Sequence, residues 1–294
     1  MKNKTKLCGQ EGFNQFYSDL FGPRWEALKE SFFQENQSVE YKIQNCESYF
    51  LDSASVFAAL CLPLQDAQNI LDLCAAPGGK TLVLASRMPE DAKLFSNERS
   101  TSRVSRLKKV VETCLPQQIN ERVKVSCSDG STWCKRQSEC FDRILLDAPC
   151  SSERHVIQDK KYLDSWSPSR IKTVSMEQWA LLSSAYRLLE VGGILLYSTC
   201  ALCPQENDEI IKKLHKKFNK DGTAFELLEP YPCVEEIKNF TSVKIPNYEK
   251  TEFGYHILPD VQNGAGPIYF SIIKKIASIY ENVWESVIFD LNFL

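Results

Sequence analysis

The sequence predicts an α/β fold, a mostly parallel sheet with helices on both faces and a small helical extension at the N-terminus. Three observations carry that expectation. The stretch Ile70–Thr81, ILDLCAAPGGKT, begins as a short buried strand and turns at Pro77-Gly78-Gly79 into a helix starting near Lys80. Beyond it, strand-like and helix-like patterns alternate as far as Phe218, the mark of strand–helix–strand units. Glu98, Asp129, Asp147, Cys150 and Cys200 each fall at or just after the end of an expected strand, where ligands sit in open α/β sheets. The expected division is an extension over residues 1–48 and a main domain over 49–294.

Taken in order, residues 13–33 read as two helical pieces broken near Gly22-Pro23. Phe13, Phe16, Tyr17 and Leu20 share one face, and Trp25, Leu28 and Phe32 the next. Residues 34–47 read as polar connection, and residues 49–64 as an apolar helix capped by Asp52 or Ser53. Expected strands follow over residues 70–74, 93–97, 122–127, 141–146 and 194–198, the last introduced by Gly192-Gly193. Helices are expected over 80–88, 102–115, 176–189 and 207–218, and further strands over 225–228 and 268–273. Residues 282–294 are apolar enough for a docked strand or a partner contact.

At 294 residues the chain can build one substantial domain plus a small element. Its 43% hydrophobic and 25% charged content is that of an ordinary globular protein. No run approaches the roughly 20 apolar residues of a membrane span, and the N-terminus lacks the apolar core of a secretory leader. Twelve cysteines are too sparse for a disulfide scaffold, and several fall inside apparent strands and helices. Free, mostly buried thiols in a reducing cytoplasm are expected, with no membrane association. The three histidines, His155, His215 and His256, are scattered, so no metal site is expected. The net charge of −3 argues against a strongly basic nucleic-acid binder but allows a local positive groove.

A strand, a glycine turn and a helix place backbone N–H groups beside a ligand's polar end, here from Cys74, Ala75, Ala76, Pro77, Gly78, Gly79 and Lys80. The stretch is neither GxGxxG nor GxxxxGK[ST]. Glu98 lies about 20 residues beyond the turn, the spacing at which a carboxylate accepts ribose hydroxyls. It could equally cap a helix. Asp129 could receive an adenine amino group, or cap the turn into Gly130. Lys80 could meet a carboxylate or phosphate, or face solvent. The loop suits the methionine end of S-adenosylmethionine or a nucleotide phosphate.

DAPCSS at 147–152 and YSTC at 197–200 place a thiol after each of two expected strands. A thiolate is a strong nucleophile once its pKa is lowered or a base is near. Thiols at strand ends also serve as small buried apolar groups. Asp147, pinned by the turn at Pro149, could hold the polar edge of a base. Arg154 and His155 beyond the first thiol read either as contacts to phosphate or base or as solvent-exposed. The lysines at 212, 213, 216 and 217 read as a solvated helix face, and one of Arg99, Arg103 and Arg106 as a contact to RNA or cofactor.

LDLCAAPGGKT, LLDAPCSS, LLYSTC after Gly192-Gly193, and PQEN at 204–207 resemble the signature blocks of the Nol1/Nop2/Sun family of RNA cytosine-5 methyltransferases. The likeness covers most of residues 49–273. FGPRW at 21–25 and GPIYF at 266–270 further resemble its mitochondrial rRNA and tRNA branches. The resemblance implies a Rossmann-like methyltransferase core and S-adenosylmethionine as cofactor. It implies Cys200 as nucleophile, Cys150 as the thiol that assists product release, and Asp147 as the catalytic aspartate. Lys80, Glu98, Arg103, Asp129, Gly130 and Asp147, with the 74–79 loop, are implied around the cofactor.

Cytosine C5 is too weakly nucleophilic to take a methyl group until a thiolate adds at C6. That chemistry alone does not decide which cysteine attacks. A Pro-Cys turn carries the attacking thiol in DNA cytosine-5 methyltransferases and would favour Cys150, whereas the resemblance favours Cys200. The chain departs from the family in SSERHVI after Pro149-Cys150, where many members have a glycine-rich SGTG, and in GPIYF, where many have a DGFF-like block. The expected substrate is structured RNA, small-subunit rRNA before tRNA. A ribosomal particle or accessory protein is a candidate partner, and a monomer is expected. The alternatives are a non-catalytic assembly scaffold and a small-molecule methyltransferase.

Overall fold

The computed structural model describes residues 7–35, 37–231, 240 and 245–279. Helices α1 (Gly9–Phe21) and α2 (Trp25–Ser31) are joined by a single 3-10 turn at Gly22-Pro23-Arg24. The missing proline N–H and a left-handed Gly22 (φ 56°) end the first helix there. A hairpin of β1 (Ser38–Tyr41) and β2 (Tyr49–Asp52) follows, with Ser38 opposite Asp52. Helix α3 (Ser53–Leu60) starts directly from it, capped by Asp52, whose carboxylate accepts from the Ser55 N–H at 3.0 Å.

The alternating part runs β3 (Asn69–Asp72), α4 (Gly79–Ala85), β4 (Lys93–Glu98), α5 (Thr101–Cys114), short α6 (Gln117–Asn120), β5 (Val123–Cys127) and β6 (Phe141–Asp147). Short helices α7 (Glu153–Gln158) and α8 (Lys160–Asp164) lead into the long α9 (Pro168–Leu188), then β7 (Leu189–Thr199) and α10 (Asp208–Phe218). The described strands end with β8 (Phe225–Leu227), β9 (Glu249–Lys250), β10 (Tyr255–Ile257) and β11 (Ile268–Lys275). Nine strands form one sheet in the order β5-β4-β3-β6-β7-β11-β10-β9, with β8 also on β11. The order reverses between β3 and β6, and the loops leaving these two strands open onto one cleft.

Period-two alternation sends neighbouring strand residues to opposite faces. Ile70, Leu145, Leu196 and Ile272 pack with α3, α4 and α5 on one side. Leu71, Leu146, Leu195 and Ile273 pack with α9 and α10 on the other. Each such buried side chain contributes roughly 1.5–3 kcal/mol over exposure. A third core joins Phe13, Tyr17, Trp25, Leu28 and Phe32 of the N-terminal helices to Val156, Trp166, Leu202 and Leu258. The extension is therefore seated on the loops that carry the cysteines.

The expected parallel run is β5, β4, β3, β6 and β7, and β8 to β11 extend the sheet as an antiparallel part. Two expectations are corrected. Residues 38–41 pair as a strand rather than a connection, and residues 49–52 form a strand before the helix begins. Helix α9 starts at Pro168, with proline in the first turn and Ile171, Ser175 and Gln178 buried, so it begins eight residues before the expected 176. The 282–294 tail lies outside the described residues.

Candidate active site

A cleft of about 860 Å³ opens at the carboxyl ends of β3, β4, β5, β6 and β7. Cys74, Ala76, Lys80, Glu98, Arg103, Asp129, Gly130, Asp147, Cys150 and Cys200 all line it. Ala75, Pro77 and Gly79 line an adjoining recess of about 260 Å³ that shares Cys74, Lys80 and Asp147. Gly78 faces away. Its φ of 122° starts α4, and an added Cβ would meet Val110 at 2.9 Å.

One end of the cleft is built from carboxylates. Glu98 closes β4, with Oε1 accepting from the Ser100 N–H at 2.9 Å and Oε2 3.1 Å from Arg103. Arg103 also donates to the Ala76 carbonyl at 2.5 Å, tying α5 to the glycine turn. Asp129 follows β5 and uses Oδ1 for the Ser131 N–H and hydroxyl, at 3.0 and 2.7 Å. Its Oδ2 is left to the cleft. Asn97 bonds the Leu73 and Ser128 carbonyls at 3.1 and 3.0 Å and holds the floor. Lys80 turns from this end and donates to Asp147 Oδ2 at 2.7 Å and Ser55 Oγ at 3.0 Å. Burial pulls its ammonium down, but the Asp147 charge and hydrogen bond leave it above its ordinary value. The two cations nearest the floor, Arg103 and Lys80, thus each answer a carboxylate.

The other end holds the thiols. Asp147, last residue of β6, has Oδ1 on the Ser198 hydroxyl at 2.8 Å, so both its oxygens are oriented. The Sγ atoms of Cys150 and Cys200 are 2.7 Å apart, and Ser152 Oγ is 3.3 Å from each. Both cysteines are free. The contact shared with the Cys150 sulfur draws the Cys200 thiol below the ordinary cysteine value; burial opposes this and the Ser152 hydroxyl assists. Cys150 is pushed well above it, first by that same contact and then by burial.

Two buried acids hold the cysteine loops from behind. Glu153 Oε1 accepts from Tyr17 at 2.5 Å and from the Ser151 hydroxyl at 2.7 Å, and Oε2 from the Leu202 N–H at 3.1 Å. Glu206 Oε2 accepts from the Ser151 N–H at 2.8 Å and Gln178 at 3.0 Å. Burial, helped by the Glu153 charge, pushes the Glu206 carboxyl up to about 7. Asn207 bridges Thr199 and Ala201 on the far side.

Sequence reasoning missed Ser55, Ser152, Glu153 and Gln178. Only the PQEN block pointed toward Glu206 and Asn207, without a role. It also passed over one Cys-x-x-Cys spacing, Cys200-Ala201-Leu202-Cys203. Cys203 is buried and donates to Gln205 at 2.6 Å, and Cys200 and Cys203 are both free. Among the described residues no group of three or more His, Cys, Asp or Glu side chains is arranged to hold a metal. Arg154 is half-buried: it donates to the Gly264 carbonyl and sits 5.7 Å over the Phe32 ring. Lys212 pairs with Glu252 at 3.0 Å, and Lys217 lies over Trp179 and Phe218. Arg99 pairs with Glu177 at 2.8 Å. No helix among the described residues is long and apolar enough to cross a membrane.

The family described as 16S rRNA methyltransferase RsmB/F matches residues 59–257. The 5-cytosine rRNA methyltransferase NSUN4 of Mus musculus is 32% identical over 239 residues, covering 78% of this chain and 60% of that protein. Ribosomal RNA small subunit methyltransferase F of Vibrio vulnificus is 33% identical over 240 residues, covering 80% of this chain and 47% of its own length. This chain therefore spans about half to three fifths of these relatives. Among solved structures, a methyltransferase homolog protein from Pyrococcus horikoshii superposes with a TM-score of 0.68 at 22% identity, over 91% of this chain and 95% of that one. NSun6 from the same organism, solved with SFG, gives 0.61 at 22% identity over 80% and 54%. These two likenesses are of fold.

Proposed function

The chain belongs to the 16S rRNA methyltransferase RsmB/F family, and on that premise we propose that it methylates C5 of a cytosine in structured RNA, with S-adenosylmethionine as donor. The observation that carries the reading is the pair of free strand-end thiols, 2.7 Å apart, beside a doubly oriented Asp147. The relatives named for rRNA favour small-subunit rRNA, and tRNA is the second candidate. A reducing cytoplasm suits the unbridged thiols.

The carboxylate end of the cleft supports the donor. Glu98 and Asp129 can accept hydroxyl and amino hydrogens of an adenosine, with Leu73, Ala148 and Leu181 as apolar walls. Arg103 and Lys80 are already matched by carboxylates, which suits a cationic sulfonium better than a polyphosphate. When bound there, S-adenosylmethionine supplies an electrophilic methyl group.

The chain's own groups do the rest. Cys200 forms a bond from Sγ to C6, and the C5–C6 π electrons move to C5, which gains enamine character. Asp147 holds the base edge while charge redistributes over the ring. Once C5 has taken the methyl group, its proton passes to solvent water, the C–H electron pair re-forms the C5–C6 double bond, and Sγ leaves C6 as the thiolate, restoring the ring. Cys150 and Ser152, each within 3.3 Å of the departing sulfur, stabilise it as it leaves.

Wild type, Cys200→Ala, Cys150→Ala and Asp147→Ala are compared on small-subunit rRNA with methyl-labelled S-adenosylmethionine, read on denaturing gels. Cys200→Ala should lose turnover and the covalent protein–RNA band together. Cys150→Ala should lose turnover yet accumulate labelled adduct. Asp147→Ala should lose both, with turnover down at least ~100-fold. An adduct in Cys200→Ala but not in Cys150→Ala reverses the thiol roles. No label transferred to rRNA or tRNA by the wild type refutes the activity.

A further inference from the structure

We propose that His155 and Tyr162, with Arg170, form a stacking subsite for a nucleotide neighbouring the one that reaches Cys200. The proposal rests on the RNA-directed reading above and extends it to a surface outside the reacting groups.

The two rings belong to short helices joined at Asp159. Their centroids are 4.9 Å apart with planes at 50°. Both line the same cleft as the thiols, and Tyr162 remains 40% exposed. His155 also lines an adjoining cavity of about 300 Å³ that reaches Ser152, Cys200 and Pro267. Both rings border the cleft that holds the nucleophile, and His155 borders the adjoining cavity as well.

Their inward neighbours explain why the rings stay in place. Val156 and Trp166 are buried in the core made with Phe13, Tyr17 and Trp25 of the N-terminal helices. Glu153, at the start of α7, is bound by Tyr17 and Leu202. Asp159 caps α8 through the Lys161 N–H at 2.9 Å. The pair is thus anchored from beneath and presented outward. A base in a single-stranded loop can stack on such a surface whatever its sequence.

Arg170, exposed in the first turn of α9, lines the same cleft. It has no ion-pair partner among the described residues, whereas the Glu177 carboxylate on that side is taken by Arg99. A free guanidinium beside a stacking surface suits the phosphate that links two nucleotides.

The probe is a fluorescein-labelled RNA stem-loop with an oligocytidine loop, titrated by anisotropy at several salt concentrations. Tyr162→Ala and His155→Ala should each weaken binding about five- to tenfold at every salt concentration, while Tyr162→Phe binds like the wild type. Arg170→Ala should reduce the slope of log affinity against log salt by about one. Thermal melting and the alkylation rate of Cys200 should not change in any variant. Unchanged affinity in both alanine variants, equal loss in Tyr162→Phe, or a wild type that does not bind the loop overturns the proposal. The two readings separate cleanly. Loss of affinity without 5-methylcytosine formation keeps the subsite and sinks the activity. Methylation with an affinity and KM indifferent to Tyr162 and His155 keeps the activity and sinks the subsite.

Discussion

At Asp72 burial and bonding pull in opposite directions. Its Oδ2 accepts from the Thr81 hydroxyl at 2.7 Å, but Oδ1 is buried without a partner. Burial, opposed by the Thr81 bond and reinforced by the Asp147 charge, pushes the carboxyl up to about 7 from 3.8. The native state then holds a proton that the unfolded chain has released, so stability declines as pH climbs from about 4 to about 7. Asp72→Asn removes the charge at constant size. It should raise the melting temperature at pH 8, by the equivalent of about 1–3 kcal/mol, and lose that advantage at pH 4. An equal difference at both pH values would refute the assignment. Single residues differed in how readable they were. Cys150, Cys200, Asp147 and Glu98 were visible because each lies at or just after the end of a strand, in a recognisable motif. Ser55, Ser152 and Ser198 were not, because serines are common and theirs become informative only when folding brings Lys80, both thiols and Asp147 to them.

Elements were legible where a long period repeated and obscure where it did not. The parallel strands and the helices between them stand within a few residues of the pattern, except for the early starts of α9 and β7. The β1–β2 hairpin was hidden because four-residue strands show too little periodicity to tell an edge strand from a connection or a helix start. The antiparallel half was hidden because nothing local says that residue 269 will lie opposite residue 199. The glycine turn is the element on which the cofactor end depends. Gly78→Ala would place a Cβ 2.9 Å from Val110 at a φ of 122°, a conformation that L-residues rarely adopt. The variant should lose about 1–3 kcal/mol of stability in urea titrations. Retained stability would show that the α4–α5 contact gives way more easily than its geometry suggests.

The described residues form three cores around one cleft, and the third ties the N-terminal helices to the cysteine loops. The last described strand matters as much. β11 runs antiparallel beside β7, with Tyr269 opposite Thr199 and Ile268 at the cleft wall. Cys200 is therefore synthesised well before the strand that flanks it, and on the ribosome it must wait for residues 201 to 275 to emerge. Until then the half-built sheet exposes the edge of β7, and the reactive sulfur has no finished wall. Shelter of the thiol should consequently come late in translation. In nascent chains stalled before Ile268 emerges, the peptide bearing Cys200 should react with iodoacetamide faster than in chains that have released Lys275, because the wall at Ile268 is missing. Equal rates would show that β11 does not shelter the sulfur. An unfinished chain, still tethered among ribosomes and their RNA, thus carries its thiol without the wall that will restrict what reaches it.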